Sequence, residues 1–414
     1  SIQFFLKYKN ISSFENFELL KRKIINKNIK IIIFCSKKSL TLIMENIDFF
    51  INNKIKIVQA STNYEIENHG FIIRKPFKDF SFDELFLRKT LSINNNSISK
   101  ILKNKKIIIT GGAGTIGGYL VRALIKFDVK KIFIIDNNEY NVFRLINDLE
   151  DNKKFKKIKF KILNIENFKI LNSYLREIKA DIGFHTAALK HVNFLENNIS
   201  QAIETNVIGT ENVLEASYKS KVKYFIHIST DKAADPKNIL GITKRISEIK
   251  CQKCVNKNKM KIAIVRFGNV FNSNGSVAEK FKTKLLKVKK IVVTDSNVTR
   301  YFMSGTEAAN LIISALEIIF KSKSSKHCRT FVCDMGKPIK IKDIAKKMIF
   351  LSGRSIKKYL SKKYSGLANN EKIEEILVSK NEKIINIFNK KVLEIENNKS
   401  FKKIINLNFR KILQ

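Results

Sequence analysis

The sequence predicts an α/β protein with a doubly wound parallel sheet, preceded by a smaller α/β domain. Short apolar runs alternate with amphipathic helical patterns along most of the chain, an order typical of parallel sheets. Five of the fifteen glycines fall within residues 111–118, between a strand pattern and a helix pattern. A length of 414 residues accommodates two domains with large cores.

Residues 1–85 form the smaller predicted domain, which has no glycine loop of its own and therefore predicts no nucleotide site. Its expected strands are 31–34, 55–58 and 71–73, and its expected helices are 14–25 and 40–50. Residues 86–103 are rich in Asn and Ser and indicate a linker. Because the chain starts at Ser1 rather than Met, we expect this domain to be truncated.

The larger predicted domain spans residues 104–380. Its strands are expected near 106–110, 131–136, 158–163, 180–184, 223–229, 261–266, 290–294 and 329–333, with helices between them. A doubly wound sheet of this kind places its ligand crevice at the carboxyl ends of the strands. Residues 381–414 are rich in Lys, Asn and Ile and predict a C-terminal tail.

The glycine cluster has the strand–turn–helix setting of a Rossmann-type dinucleotide-binding loop. Gly111 permits the tight turn, Gly114 lets the backbone approach a pyrophosphate, and Gly117 lets the helix pack closely on the strand. The helix N-terminus then presents unpaired N–H groups and a positive dipole end to the anion. The alternative interpretation is a glycine-rich turn without a ligand.

An acidic residue, Asp136, ends the next predicted strand, nineteen residues after Gly117. A carboxylate at this place accepts hydrogen bonds from the adenosine ribose and repels a 2′-phosphate, so it favours NAD over NADP. Asn137 and Asn138, which follow it, would tolerate a phosphate, and NADP therefore stays an alternative.

The formal net charge of +42 suggests a nucleic-acid binder at first sight, but the pattern of basic residues argues against that function. Lysines dominate and are spread along the whole chain, and the usual recognition modules are missing from the sequence. We therefore expect no nucleic-acid partner, and we expect the charge to help attract an anionic substrate. The most apolar helical stretch, 308–320, is too short to span a membrane, and no signal peptide is visible.

Metal and disulfide chemistry are not expected either. Five cysteines in a chain of this length do not suggest a disulfide framework, and Cys251 and Cys254 have no second pair at zinc-site spacing. His185 and His191 are six residues apart, a spacing that favours a structural role over metal ligation. This cysteine usage fits a reducing cytoplasm.

The segment with the most reactive side chains directly follows the strand predicted at 223–229. Thr230, Asp231 and Lys232 place a hydroxyl, a carboxylate and an amine side by side. Neighbouring opposite charges can tune each other's pKa for acid–base chemistry. Lys244, on the following predicted helix, would face the same crevice. The alternative is a helix cap with a surface ion pair.

Together, these segments resemble the extended short-chain dehydrogenase/reductases, and more narrowly the capsular-polysaccharide-type nucleotide-sugar 4,6-dehydratases that act on UDP-N-acetylglucosamine. The resemblance covers residues 104–353 in the family's order. Its motifs are TGGAGTIG (110–117), AALKH (187–191), TNVIGT (205–210), STDKA (229–233), TK (243–244), RFGNV (266–270), GSV (275–277), TRYFM (299–303) and DMGKP (334–338).

Residues 1–100 resemble the later part of the extra α/β domain in long members of this family, which carry membrane helices further upstream. We therefore expect a membrane anchor upstream of this chain, and a cytoplasmic location on the inner face of the membrane. The resemblance also implies a UDP-sugar substrate and a homo-oligomer.

The resemblance implies a dehydration that regenerates its cofactor. NAD takes a hydride from sugar carbon 4, the proton on carbon 5 leaves, the 6-hydroxyl is eliminated, and the hydride returns to carbon 6. The product is a 4-keto-6-deoxy sugar nucleotide for polysaccharide or glycan synthesis. Thr230 then hydrogen-bonds the 4-oxygen, Asp231 protonates the departing hydroxyl and Lys232 takes the carbon-5 proton. Lys244 holds the nicotinamide ribose and lowers nearby pKa values.

The resemblance further implies two sets of binding residues. The expected cofactor residues are Gly111, Gly114, Thr115, Ile116, Gly117, Asp136, Asn137, Asn164, Ile165, Ala187, Ala188, Lys190, Asn206 and Lys244. The expected substrate residues are Lys190, His191, Asn269, Ser276, Val277 and Arg300. Arg300 suits a diphosphate because its guanidinium matches the anion in charge and geometry.

Two positions depart from the family pattern. Leu240 stands where the superfamily has a tyrosine, which leaves open the group that deprotonates the 4-hydroxyl. Ala368 replaces an arginine expected to grip the diphosphate, which leaves open the substrate. A UDP-sugar 4-epimerase and a non-catalytic NAD- or nucleotide-sugar-binding module are therefore alternatives. The Thr-Asp-Lys segment favours the dehydratase, because an epimerase needs no acid to expel the 6-hydroxyl.

Overall fold

The computed structural model describes residues 17–34, 42–59, 86, 90–254, 260–323, 328–352, 354–368 and 370–397. The chain divides into two compact units. The first unit comprises Ser1–Lys89, Val277–Val298 and Ile339–Gly366, and the second comprises Thr90–Ser276, Thr299–Pro338 and Leu367–Gln414. The first unit thus includes two segments that the sequence assigns to the larger domain.

Strands and helices are numbered here in chain order. The strands are β1 Ile31–Phe34, β2 Lys56–Gln59, β3 Lys106–Thr110, β4 Lys131–Asp136, β5 Ile158–Ile162, β6 Ile182–His185, β7 Tyr224–Ile228, β8 Lys261–Arg266, β9 Asn269–Val270, β10 Thr299–Arg300, β11 Phe302–Met303, β12 Cys328–Cys333, β13 Ile339–Lys340, β14 Glu382–Phe388 and β15 Val392–Asn397. The α-helices are α1 Phe17–Asn26, α2 Ile47–Asn52, α3 Asn95–Leu102, α4 Thr115–Leu124, α5 Glu139–Leu149, α6 Phe168–Ile178, α7 Val192–Leu195, α8 Ile199–Ile203, α9 Gly209–Lys219, α10 Ile239–Cys254, α11 Val277–Leu286, α12 Gly305–Lys321, α13 Ile341–Leu351 and α14 Ile356–Tyr359. Within the part of the chain that the structure describes, no helix combines the length and the apolar character that crossing a membrane requires.

The first unit contains a parallel strand pair, β1 and β2, in which Ile31 lies opposite Lys56. Helices α1 and α2 contact each other through three phenylalanines whose ring centroids lie 5.4 to 5.9 Å apart: Phe17, Phe49 and Phe50. The strands predicted at 31–34 and 55–58 are confirmed, and the helices predicted at 14–25 and 40–50 overlap α1 and α2. The strand predicted at 71–73 lies outside the described residues.

The strand predicted at 290–294 is not formed, and that prediction is wrong. Ile291 makes a single parallel bridge with Leu360. The segment bonds to an irregular stretch of chain: the Ser361 N–H donates to the Ile291 carbonyl at 2.8 Å, and the Gly366 N–H to the Thr294 carbonyl at 3.1 Å. Its backbone groups are therefore satisfied without a sheet, which a short apolar run alone does not reveal.

The second unit is built on a nine-stranded sheet in the order β14-β15-β12-β8-β7-β6-β3-β4-β5. The strands from β12 to β5 are parallel, whereas β15 and β14 are antiparallel additions. All seven parallel strands are predicted from the sequence, so the doubly wound α/β fold is confirmed. The chain runs outward from β3 to β5 and returns to β6 on the other side, which places the crevice at the carboxyl ends of β3 and β6.

Strand β3 shows why the sheet is covered on both faces. Ile107 and Ile109 pack into the apolar layer that contains α4 and α12, whereas Ile108 packs into the layer that contains α6 and α9. All three side chains are at most 2% exposed. A strand buried on both sides reads as a continuous apolar run, and this is the pattern that made β3 predictable.

Two elements lie where the sequence indicated a linker and a tail. Helix α3 falls within 86–103; the Asn94 side chain caps it by accepting the Ser97 N–H at 3.2 Å, and Ile98 and Leu102 are buried. Strands β14 and β15 fall within 381–414 and complete the main sheet. Both segments are rich in polar residues, Asn, Ser and Lys, and this composition led to the prediction of a linker and a tail. Their apolar residues are buried through contacts with distant parts of the chain, which local composition does not reveal.

A buried ionic network, which we call the Glu248 network, joins α10, β8 and β14. Glu248 accepts two hydrogen bonds of 2.7 Å from Arg266 and one of 2.9 Å from Arg245. Glu382 accepts from Arg266 at 2.9 Å. Burial alone would raise the pKa of Glu248, but Arg266, Arg245 and the Ser229 hydroxyl lower it to about 2. The carboxylate is therefore ionised and paired in the core.

We expect Glu248→Gln to destabilise the protein by about 3 kcal/mol or more, because it leaves Glu382 as the remaining carboxylate for two buried guanidinium groups. Since the pKa of Glu248 is depressed from 4.5 to about 2, its stabilising effect is fully present above pH 4.5 and is lost as the pH falls towards 2. Urea denaturation at several pH values measures the effect. Glu215→Gln, which breaks an exposed pair with Lys219, is the control and should change stability by about 0.5 kcal/mol or less.

Candidate active site

The glycine loop joins β3 to α4 and leaves no room for side chains. Gly111 has φ +68°, and a Cβ on it would lie 2.5 Å from the backbone N and Cα of Ala187. A Cβ on Gly117 would lie 2.3 Å from the Gly111 carbonyl oxygen. Gly114 is the N-cap residue of α4 and adds no side-chain cap to the first turn, whose N–H groups lack helical partners. This close, uncapped turn fits the pyrophosphate of a dinucleotide.

Asp136, at the end of β4, is attached to the same loop. Its carboxylate accepts the Ala113 N–H and the Asn138 N–H, both at 3.0 Å. Burial raises the pKa of Asp136, while these backbone donors act in the opposite direction. The N–H groups of Asn137 and Gly114 act on the same carboxylate, so a ribose hydroxyl would have to share its oxygens with backbone donors. Asn137, next to it, is exposed.

The loop after β6 lies against the glycine loop and is held by the side chain of Asn206. Ala187 is half-buried, and Ala188 and Lys190 are exposed. Asn206, fully buried in the π-helical turn Glu204–Ile208, accepts the Leu189 N–H at 2.9 Å and donates to the Leu189 carbonyl and Thr243 hydroxyl at 3.1 Å. Both amide N–H groups of Asn206 are therefore used to hold the loop and α10.

The two expected cofactor residues after β5 lie in different surroundings. Asn164 is exposed, and its amide oxygen accepts the Glu166 N–H at 3.0 Å. Ile165 is 5% exposed and packs against Gly209, where a Cβ would lie 2.7 Å from its Cδ1. At the other end of the glycine loop, the Thr115 hydroxyl accepts the Asn274 N–H at 3.2 Å, and Ile116 is half-buried.

The histidines and cysteines noted in the sequence form no metal site in the described ranges. His185 is fully buried between the hydroxyls of Thr110 at 2.7 Å and Thr210 at 2.9 Å. Burial lowers the pKa of His185 to about 3, so the ring is neutral. Cys251 is buried in α10, and burial raises the pKa of its thiol. His185 and Cys251 thus lie buried in the core, in surroundings typical of residues with a structural role.

The Thr-Asp-Lys segment forms a 3₁₀ turn directly after β7. The Thr230 hydroxyl donates to Asp231 Oδ1 at 2.9 Å, and the Lys232 ammonium donates to the same oxygen at 3.1 Å. Asp231 is 1% exposed, and its Oδ2 has no hydrogen-bond partner among the described residues. The Ser229 hydroxyl donates to Glu248 at 2.6 Å, which anchors the turn to the Glu248 network. The three predicted groups are thus brought together.

A second carboxylate, which the sequence analysis missed, reaches the same lysine. Glu375 Oε1 lies 3.4 Å from Lys232 Nζ, and both side chains are largely buried. Burial alone would lower the pKa of Lys232, but Asp231 and Glu375 raise it above its ordinary value, with Arg300 opposing them. The sequence signal is weak: Glu375 is one of three glutamates within 371–375, and only the fold brings it to the lysine.

Lys244 lies on α10, 4% exposed, and burial lowers its pKa to about 8. The helix approaches the Thr-Asp-Lys turn through Gly241, where a Cβ would lie 2.6 Å from the Lys232 carbonyl oxygen. Leu240 is buried in a small apolar cluster with Leu195 and Ile239. The apolar residue at this position therefore contributes to packing.

The expected substrate residues differ from one another in burial and in their contacts. Arg300 is buried and donates to the Ile373 carbonyl and to the Glu371 carboxylate, both at 3.0 Å. His191 is exposed and packs on Gly275, where a Cβ would lie 2.3 Å from its ring. Asn269 on β9 and Ser276 are half-buried.

Val277 is the last of the expected substrate residues, and Ala368 is one of the two departures from the family pattern. Val277 begins α11, in the first unit. Ala368 is exposed, and its N–H donates to Glu371 at 3.3 Å. The Arg300 guanidinium thus has Glu371 as its anionic partner, which a bound diphosphate would have to share or replace.

Comparison with known proteins points to one family. CapD of Staphylococcus aureus, a capsular polysaccharide biosynthesis protein, is 35% identical over 373 residues, which cover 88% of this chain and 59% of CapD. The UDP-N-acetylglucosamine 4,6-dehydratase (inverting) of Campylobacter jejuni is 28% identical over 68% of this chain and 80% of its own length. A UDP-glucose 4-epimerase of Rickettsia canadensis is 33% identical over 52% of this chain and 63% of its own length.

Solved structures agree on the fold. Pen from Bacillus thuringiensis has a TM-score of 0.64 at 28% identity, covering 75% of this chain and 98% of Pen. DesIV from Streptomyces venezuelae, a dTDP-glucose 4,6-dehydratase crystallised with NAD, has a TM-score of 0.58 at 19% identity, covering 66% and 88%. The chain spans between half and three fifths of the length of the first curated relatives it matches. Since the family model described as "Polysaccharide biosynthesis protein" matches residues 107–397, more than half of the sequence, this chain belongs to that family.

Proposed function

We propose that this chain is an NAD-dependent UDP-N-acetylglucosamine 4,6-dehydratase, a lyase that makes a 4-keto-6-deoxy UDP-sugar for polysaccharide or glycan biosynthesis. The observation that carries the proposal is the buried Asp231–Lys232 pair, whose carboxylate oxygen and amine nitrogen lie 3.1 Å apart at the carboxyl end of β7. An elimination needs an acid at the leaving oxygen and a base at the neighbouring carbon, and these two groups can supply both.

NAD, when bound, supplies the oxidation of sugar carbon 4 and the matching reduction at carbon 6. Gly111, Gly114 and Gly117 would hold its pyrophosphate, and Asp136 its adenosine ribose. Asp136 also disfavours the 2′-phosphate of NADP by charge. Thr230 would orient the 4-oxygen, Asp231 would give a proton to the 6-hydroxyl, and Lys232 would take the proton from carbon 5.

A 4-epimerase is the second candidate, supported by the relationship to the Rickettsia epimerase. An epimerase needs no acid at the 6-hydroxyl, so it gives no reason for a 1% exposed carboxylate paired with a lysine. Leu240 and Ala368 support a third candidate, a module that binds without turnover. Self-association, membrane attachment and a cytoplasmic location stay predictions from the resemblance.

We expect the wild-type protein with NAD to convert UDP-N-acetylglucosamine to a product lighter by one water, detected by mass spectrometry. Asp231→Asn and Lys232→Ala should each lower kcat by about 10²- to 10⁴-fold, because each removes one partner of the acid–base pair. Asp148→Asn, an exposed aspartate on α5, is the matched control and should retain activity. An isomer of unchanged mass would indicate the epimerase, and binding without turnover the non-catalytic module.

We expect Gly111→Ala to weaken NADH binding by about tenfold or more, equivalent to about 1.4 kcal/mol, because the added methyl meets the Ala187 backbone and φ is positive. NADH fluorescence titration measures the affinity, and thermal denaturation checks folding. Gly118→Ala is the control, since its methyl would meet chiefly the flexible Arg122 side chain. Equal affinity for the wild type and Gly111→Ala would contradict a dinucleotide site at this loop.

A further inference from the structure

The segment 371–375 brings a buried carboxylate to the Thr-Asp-Lys turn. Glu375 is 6% exposed, and its Oε1 lies 3.4 Å from Lys232 Nζ. Its Oε2 is buried and finds no hydrogen-bond partner in the described part of the chain. Burying a carboxylate is unfavourable unless a cation or donors compensate it. Lys232 is the cation that compensates Glu375.

The segment that carries Glu375 is fixed at two other points. Glu371 pairs with Arg300 at 3.0 Å, and Lys372 pairs with the Asp235 carboxylate at 2.8 Å. Both partners belong to the second unit, as does Lys232. The segment that leads into Glu375 is thus attached to the second unit by two ion pairs, at Glu371 and Lys372, shortly before it in the chain.

Lys232 lies between two carboxylates, with Asp231 Oδ1 at 3.1 Å and Glu375 Oε1 at 3.4 Å. Burial and the charge of Arg300 lower the pKa of Lys232, but the two carboxylates outweigh them and raise it above its ordinary value. Two carboxylates and one ammonium carry a net charge of −1, so the proton on Lys232 is strongly retained. As a general base, however, a lysine must first lose that proton.

We propose, resting on the proposed dehydratase function, that Glu375 is a positioning residue: it holds the Lys232 amine against Asp231 and keeps the shared proton on the amine until the sugar is in place. The acid and the base of the elimination are then two forms of one ion pair. A single proton shift from Lys232 Nζ to Asp231 Oδ1 produces a carboxylic acid beside a neutral amine.

The elimination then balances without any further proton donor. The bond between carbon 5 and its hydrogen breaks, and the proton joins Lys232 Nζ. The electron pair forms a carbon–carbon double bond as the bond between carbon 6 and its oxygen breaks. The Asp231 proton goes to that oxygen, which leaves as water. Lys232 is again an ammonium and Asp231 again a carboxylate, while Glu375 stays ionised throughout.

The test measures the proton affinity of Lys232 in the intact chain described here. Trace acetic anhydride acylates only neutral amines, and mass spectrometry of the peptide that contains Lys232 gives its labelling at each pH. In Glu375→Gln, the pH at which Lys232 becomes reactive should fall by about one unit or more, because a neighbouring negative charge is removed. Glu374→Gln, the same substitution on an exposed neighbour, should leave it unchanged.

The dehydration assay supplies the second readout. The alkaline limb of the kcat/KM profile, where the pair loses its shared proton, should move to lower pH in Glu375→Gln by the same amount. An unchanged labelling curve in this variant would overturn the inference, as would an equal shift in Glu374→Gln. Should Glu375→Gln fail to fold, Glu375→Asp withdraws the carboxylate by one methylene and should give a smaller shift in the same direction.

These readouts separate the inference from the function on which it rests. A wild-type protein that shows no dehydration overturns the proposed function, whatever the labelling shows. A wild-type protein that dehydrates the sugar, with labelling unaffected by Glu375→Gln, overturns the inference alone.

Discussion

One buried carboxylate, Glu248, determines how the parts of the candidate active site are held together. It accepts from Arg266 on β8, from Arg245 on α10 and from Ser229, the residue before the Thr-Asp-Lys turn. A charge in the core is tolerated only when its hydrogen-bonding capacity is filled, so these elements are limited to one mutual arrangement. Charge pairing in the core therefore fixes the position of the Thr-Asp-Lys turn.

The sequence predicted those parts of the structure that depend on local pattern. Strands such as β3 are short apolar runs because both of their faces are covered. The Thr-Asp-Lys turn was predicted because it adjoins the end of β7. Strands β14 and β15 escaped notice because Glu382 and Glu394 are buried by Arg266 and Arg329, which are distant in sequence. Glu375 escaped notice for the same reason, since its partner belongs to another loop. Pairings over such separations leave no periodic signal in the chain.

The structure shows the surroundings of the two residues that depart from the family pattern, Leu240 and Ala368. Leu240 fills an apolar cluster, and the hydroxyl next to the Asp231–Lys232 ion pair is that of Thr230, which already donates to Asp231. At the other departure, Ala368 removes a guanidinium from a segment whose Glu371 neutralises Arg300. Under the proposed function, a diphosphate bound at Arg300 would have to share that guanidinium with Glu371 or displace it.

Under the proposed function, Asp136 has two roles that depend on the same carboxylate. The carboxylate that would select the coenzyme also accepts the Ala113 N–H at 3.0 Å and so braces the phosphate-binding turn from inside. A neutral or basic residue in place of Asp136 could accommodate the extra phosphate. It would also remove the acceptor of the Ala113 N–H and so loosen the turn that would bind the coenzyme's pyrophosphate. Under that function, redesigning this protein for the phosphorylated coenzyme would require a substitute acceptor for that amide, and coenzyme choice would depend on the architecture of the loop rather than on one exchangeable side chain.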